Sequence, residues 1–93
     1  YYDLENYKAA VVALTNSLKD FPDTRYREEL MFMLLKAKYL LATKSIEEKQ
    51  EERLNSALDE YFAFKDEYPE SKNMKEAEKY YKVIAKMLHY EED

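Results

Sequence analysis

Apolar positions recur along this chain at steps of three and four, the spacing that keeps side chains on one face of an α-helix. The first series is Tyr7, Ala10, Val11, Leu14, Leu18 and Phe21, and it predicts a helix over 5–20. Asn6 or Asp3 is placed to cap its start. Pro22 ends it, because the residue before proline is driven out of the α region and proline has no N–H to donate. A second helix is expected over 24–42, with Asp23 or Thr24 as its cap. Arg27 stands three residues after Thr24, so that start has no capping box. The third, over 46–67, opens on Ser45-Ile-Glu-Glu48, which has the spacing of a capping box. Acids at Glu47, Glu48, Glu51 and Glu52 sit where the helix dipole favours them. Leu54, Ala57, Leu58, Tyr61, Phe62, Phe64 and Tyr68 form its apolar side, and Pro69 stops it. Ser71 is the expected cap of a fourth helix over 71–89, with Met74, Ala77, Tyr80, Tyr81, Ile84, Met87 and Leu88 facing inward. The acidic tail Glu91–Asp93 is expected to fray.

One stretch breaks the one-face pattern. Leu30–Ala42 is apolar or aromatic at every position except Lys36 and Lys38. At about 100° per residue, Met31, Phe32, Leu35, Tyr39 and Ala42 fall on one face. Leu30, Met33, Leu34, Ala37, Leu40 and Leu41 fall on another. A surface helix needs a single apolar stripe, so a helix with two has neighbours on both sides. The stretch is too short and too charged to span a membrane. It reads as the middle layer of a stack.

Composition narrows the fold class to all-α. The chain has 93 residues, enough for one small domain, and it opens on Tyr1 and not on methionine, as a piece of a longer polypeptide would. It is 46% hydrophobic and 38% charged and contains no glycine, where average usage of about 7% would place roughly six. Without glycine, phosphate-cradling loops and tight β-hairpins lose the residue their turns need. Acids outnumber bases 20 to 15, for a net charge of −5, and no basic stripe of the kind nucleic acid requires stands out. Cysteine is absent, which excludes disulfides and thiolate chemistry.

The two stop signals match each other: Lys19-Asp-Phe-Pro-Asp-Thr24 and Asp66-Glu-Tyr-Pro-Glu-Ser71, with prolines 47 residues apart. At that offset Tyr7, Ala10, Leu14 and Ser17 fall on Leu54, Ala57, Tyr61 and Phe64. A small residue lets helices approach closely, a large one fills the groove, and the proline turns the chain. Repeated helix pairs mean a solenoid, each unit burying its face on the next.

Tyr7-x-x-Ala10-x-x-x-Leu14 followed by Pro22 resembles the second helix of a tetratricopeptide repeat, and Tyr1–Tyr7 resembles the turn before it. Phe32, Leu35, Lys36 and Tyr39 resemble its first-helix pattern, with lysine where glycine is usual, and Tyr81, Ile84, Ala85 and Leu88 match it again. The expected architecture is therefore a tetratricopeptide-like α-solenoid of about four antiparallel helices in a single domain. The period is longer than the usual 34 residues or so, and the excess falls in the helices flanking Thr43–Arg53. With Leu40-Leu-Ala-Thr-Lys-Ser-Ile46, the run Lys49–Arg53 and the aromatic-Pro-x-Ser/Thr helix ends, the longer period resembles the C-terminal half of the BamD family, the outer-membrane assembly lipoproteins.

That resemblance implies a non-catalytic scaffold of the β-barrel assembly machinery, at the periplasmic face of the outer membrane. Implied partners are the barrel-forming subunit and other lipoproteins of the complex, with the membrane reached only through an upstream lipid anchor. Nucleic acid is not an expected partner. The alternatives are a tetratricopeptide adaptor of another cell-envelope complex or a helical-bundle enzyme. The residues give the enzyme little to work with. His89 is the single histidine, and Lys86 stands where a di-iron motif needs glutamate. The acids Glu47–Glu52 lie on a helix without the glycine turn of a calcium loop. No hydroxyl has a histidine partner for nucleophilic catalysis, so no cofactor, metal or catalytic residue is expected. The ten tyrosines suit both repeat packing and binding surfaces. Candidate partner-binding residues are Lys36, Tyr39, Lys44 and Arg53, at the edge of the two-faced helix and in the connection after it. The competing reading makes Tyr39 core and leaves the charges in water.

Overall fold

The computed structural model describes residues 4–88 and builds them into four helices: α1 (Leu4–Asp20), α2 (Arg27–Thr43), α3 (Glu47–Glu67) and α4 (Met74–Leu88). No strand occurs among the described residues, and the all-α class expected from the spacing is observed. His89 and the acidic tail lie outside the described residues, as do Asp3 and the first two tyrosines.

The chain turns between α1 and α2 and between α3 and α4 by the same hydrogen bonds. In the first turn Phe21 N–H donates to the Ser17 carbonyl at 2.9 Å, Thr24 N–H to Phe21 at 3.2 Å, and Arg27 N–H to Thr24 at 3.1 Å. Forty-seven residues on, Tyr68 N–H donates to Phe64 at 2.8 Å, Ser71 N–H to Tyr68 at 3.1 Å, and Met74 N–H to Ser71 at 3.0 Å. A side-chain bond recurs with them. Tyr26 N–H donates to Thr24 Oγ1 at 3.2 Å, and Asn73 N–H to Ser71 Oγ at 3.1 Å.

These bonds explain why α2 and α4 begin three residues after the expected 24 and 71. A hydroxyl that accepts from the N–H two residues ahead closes a local turn and delays the helix. The N-cap of α2 is Tyr26, which makes no side-chain cap bond. The expected capping box at Ser45 does not form either: α3 is capped by Ile46 without a side-chain bond. Ser45 Oγ donates to the Leu41 carbonyl instead and accepts from Arg53 Nη1 at 2.6 Å. Asn6 lies inside α1 and does not cap it.

The packed helix pairs are α1–α2, α2–α3, α3–α4 and α2–α4; α1 and α4 are not in contact. Helix α2 is thus the central layer, touching each of the other three, as its two apolar faces predict. Arg27 at its start pairs with Glu67 at the end of α3, while Gln50 near the start of α3 reaches Ala42. These contacts run α2 and α3 antiparallel. The molecule is a slab of 36 × 35 × 21 Å, whose thin dimension is that of two helices, each about 10 Å across.

The core forms two adjoining clusters. Met31 and Leu35 of α2 meet Tyr61 and Phe64 of α3 and Met74 and Ala77 of α4. Ala42 then meets Leu54, Ala57 and Leu58 of α3 and Ile84 of α4. Ala42, Ala57 and Ala77 are fully buried, and their small size is what allows the close approach. Burying each of the largest side chains, Phe64, Leu35, Leu54 and Ile84, stabilises the fold by about 1.5–3 kcal/mol. Phe21, Phe62 and Met87, expected on apolar faces, are exposed. Phe21 lies past the last turn of α1, and the other two sit at the rims of their stripes.

Candidate functional site

Helix α2 sets out the candidate surface. Of its buried residues, Leu35 and Ala42 pack against α3 and α4, Leu34 and Leu41 are covered as well, and Lys36 is left exposed. On one side of Lys36 lies an aromatic row shared with α4. Tyr39 stacks on Tyr80 with ring centroids 4.5 Å apart, and Phe32 lies 6.2 Å from the same ring. Burial, together with the hydrogen bond it donates to Glu76, holds the Tyr80 phenol well above its ordinary pKa. This row closes the α2–α4 contact.

On the other side of Lys36 the surface is open. Met33, Ala37 and Leu40 of α2 face Tyr7, Ala10 and Leu14 of α1 across a groove of about 290 Å³. Its walls are apolar except for Lys36 at the rim. Met33 is 51% exposed, and Tyr7, Ala10 and Leu14 are half-buried. The second apolar face of α2 is therefore covered by α1 only in part.

The four candidate binding residues do not converge. Lys36 edges the groove. Tyr39 lies on the opposite side, spent on Tyr80. Lys44 is exposed beyond the end of α2, and its N–H closes that helix on the Leu40 carbonyl at 3.1 Å. Arg53 faces Ser45 and lines a narrow gap with Val11, Lys38, Leu41 and Ser56. Arg53 thus fixes the α2–α3 connection, and of the four only Lys36 stands beside an uncovered apolar surface.

Ion pairs lie along the seam between α2 and α3. Arg27 binds both carboxylate oxygens of Glu67, and its Nη1 donates to the Pro22 carbonyl at 3.1 Å. The Arg27 hydrogen bonds hold the Glu67 carboxyl below its usual range. Lys38 pairs with Glu60 at 3.1 Å, both side chains largely covered. Acids near the start of α3 are solvated, and among the described residues no group of three carboxylate or imidazole side chains is placed to hold a metal ion.

Helix α4 also carries a row of charge. Lys75, Lys79, Lys82 and Lys86 are all exposed on α4. Their spacing of four, three and four puts them on one line opposite the buried Ala77 and Ile84. The view that the chain has no basic stripe is therefore corrected. The acidic net charge, an average over the whole surface, hid a local basic row. No family model matches the chain, and a search of the curated proteins returns no relative.

Proposed function

We propose that this chain is a non-catalytic protein-binding scaffold, a segment of tetratricopeptide-type solenoid that serves in outer-membrane β-barrel assembly at the periplasmic face. The observation that carries the scaffold reading is the turn repeated at 47 residues, bond for bond, at Ser17–Arg27 and Phe64–Met74. Two helix pairs joined to their turns by the same bonds are what an α-solenoid stacks. The order of packing supports it as well. Each helix touches its neighbour in the chain, α2 also touches α4, and the ends do not close on one another.

The assembly role rests on sequence likeness alone, in Leu40–Ile46 and Lys49–Arg53. Those stretches flank the α2–α3 connection, where Arg53, Ser45 and the Leu41 carbonyl are tied together. The implied partners are the barrel-forming subunit and other lipoproteins of the assembly complex. The test is affinity purification of the full-length protein from detergent-solubilised envelope, with identification of what elutes by mass spectrometry. The barrel-forming subunit is expected in the eluate at near-stoichiometric amount. Its absence, with the bait folded, would reject the assembly role.

A further inference from the structure

The outer faces of α3 and α4 carry opposite charge at the same spacing. On α4, Lys75, Lys79, Lys82 and Lys86 step by four, three and four, and on α3 so do Glu48, Glu52, Asn55 and Asp59. All of these residues are exposed. Each set falls within an arc of about 60° on its helix, opposite the buried Ala77 and Ile84 on α4 and the buried Leu54 and Ala57 on α3. Neither arc holds a charge of the other sign. No member of either row joins an ion pair among the described residues.

For a single chain this sorting of charge is unfavourable. Like charges three or four positions apart destabilise a helix, and opposite charges there stabilise it. The equivalent face of α1 has the favourable arrangement. Glu5, Lys8 and Val12, 47 residues before Glu52, Asn55 and Asp59, are exposed, and Lys8 pairs with Glu5 at 3.7 Å. This face is open on both α1 and α3, so the stacking of helix pairs does not use it. The lysine face does not suit a stacked helix of the same chain either. Where α2 buries Leu35 and packs Phe32 and Tyr39, α4 has Lys82, Lys79 and Lys86, and covering those with an apolar wall is strongly unfavourable. The row calls for an acidic surface.

We propose that the lysine row of α4 and the acidic row of α3 are the two halves of a contact between copies of this chain. The spacing of four, three and four reads the same in both directions, so the rows match whether the helices run parallel or antiparallel. Three lysines meet Glu48, Glu52 and Asp59. The fourth meets Asn55, whose Nδ2 donates to the Glu51 carbonyl at 3.0 Å and whose side-chain oxygen is left to accept. Val83 and Met87, 39% and 38% exposed, edge the lysine row, and Phe62, 38% exposed, edges the acidic one. The contact thus has an apolar margin beside its ion pairs. The rows lie on different faces, so the contact is head-to-tail and continues into rings or chains. Near 0.1 M salt the screening length is about 10 Å, so rows in contact attract while the rest of a surface of net charge −5 is largely screened. A planar anionic surface fits less well, because Glu76 and Glu78 flank the row and would approach it with the lysines. The inference goes beyond the scaffold reading and does not depend on the assembly role.

Sedimentation equilibrium of the full 93-residue chain tests it. At about 0.1 M salt the weight-average mass is expected to rise with concentration past that of a dimer. At about 1 M, where the screening length is about 3 Å, it should return to that of the monomer. Lys79→Glu combined with Lys82→Glu should weaken association at least roughly tenfold, as loss of facing charges does. Glu48→Lys combined with Glu52→Lys should do the same. Mixed in equal amounts, the two variants should associate again, because each row then meets its opposite. Where a reversal lowers the melting temperature, Lys79→Gln with Lys82→Gln, or Glu48→Gln with Glu52→Gln, replaces it and should weaken association too. A folded chain that stays monomeric overturns the inference, as does association that survives both reversals or about 1 M salt. So does a mixture of the reversed variants that fails to associate. Binding to phosphatidylglycerol vesicles without self-association, abolished by the lysine reversal, would make a lipid surface the occupant and overturn it as well. None of these outcomes bears on the envelope purification, which reads a different partner.

Discussion

Tyr7, Ala10 and Leu14 on α1 and Leu54, Ala57 and Tyr61 on α3 hold equivalent places 47 residues apart, yet the second set is buried and the first is only half-covered. The same turn follows both helices, so the difference does not lie in local backbone geometry. It lies in what stacks on each pair. The pair α3–α4 receives α2, while α1–α2 presents an apolar groove. The positions that make α2 adhesive, Phe32, Leu35 and Tyr39, are lysines 79, 82 and 86 on α4. One end of the stack is therefore apolar and the other charged.

The sharpest way to break this comparison is to put the same charge at equivalent positions. Leu35 is fully buried and its counterpart Lys82 is exposed. Leu35→Glu should destabilise by about 4 kcal/mol or more, by burying an unpaired carboxylate. Lys82→Glu should stay within about 0.5 kcal/mol. Leu34→Glu, on the other apolar face, should match Leu35→Glu, since Leu34 is 4% exposed. Urea unfolding read by circular dichroism measures all three. A mild Leu34→Glu would mean that this face is open and reserved for a partner.

Smaller effects should separate the two alanines of the repeat. Ala57 has no accessible surface, whereas Ala10 lines the groove. Ala57→Leu should cost about 1–3 kcal/mol through overpacking. Ala10→Leu, with room beside it, should change stability by less than about 0.5 kcal/mol. Equal costs in thermal unfolding would mean that the groove is as tightly packed as the wedge, and the asymmetry of the two ends would fall.

Much of this was legible in the chain. The three-and-four spacing located all four helices, and α1 and α3 lie within one residue of the expected bounds at both ends. The 47-residue match located the repeated turn, and the two apolar faces of Leu30–Ala42 identified the central layer. The helix starts were harder to read. Thr24, Ser45 and Ser71 are good cap residues by type, but each hydroxyl finds another partner: Tyr26 N–H, the Leu41 carbonyl with Arg53, and Asn73 N–H. Sequence gives the hydroxyl and not its choice among nearby donors and acceptors. The candidate site was legible only in part. Lys36 was found because it interrupts an apolar run, but Tyr39 and Arg53 are taken up by contacts with residues 41 positions ahead and 8 positions back. The lysine row on α4 has a helical spacing of four, three and four, but a net charge of −5 averages it away.

The least of the expected effects tests whether the two seams of the stack are held in the same way. Between α3 and α4 the contact is aromatic, with Tyr61 and Tyr81 stacked at 4.7 Å. Between α2 and α3 it also carries ion pairs, Arg27–Glu67 and Lys38–Glu60. The folded-state pKa of Glu67 is lowered, first by the Arg27 hydrogen bonds, so its contribution is fully present above the unfolded carboxylate value of about 4.3. That contribution is lost as pH falls through the lower folded value. The pair is partly solvated, with 30% and 39% of its side chains accessible, so screening holds the effect to less than about 1 kcal/mol. Glu67→Gln should thus lower stability slightly at pH 7 and not at pH 2, and added salt should shrink the neutral-pH difference. Equal loss at both pH values would show that Glu67 acts by packing, leaving Lys38–Glu60 to carry the charge of that seam.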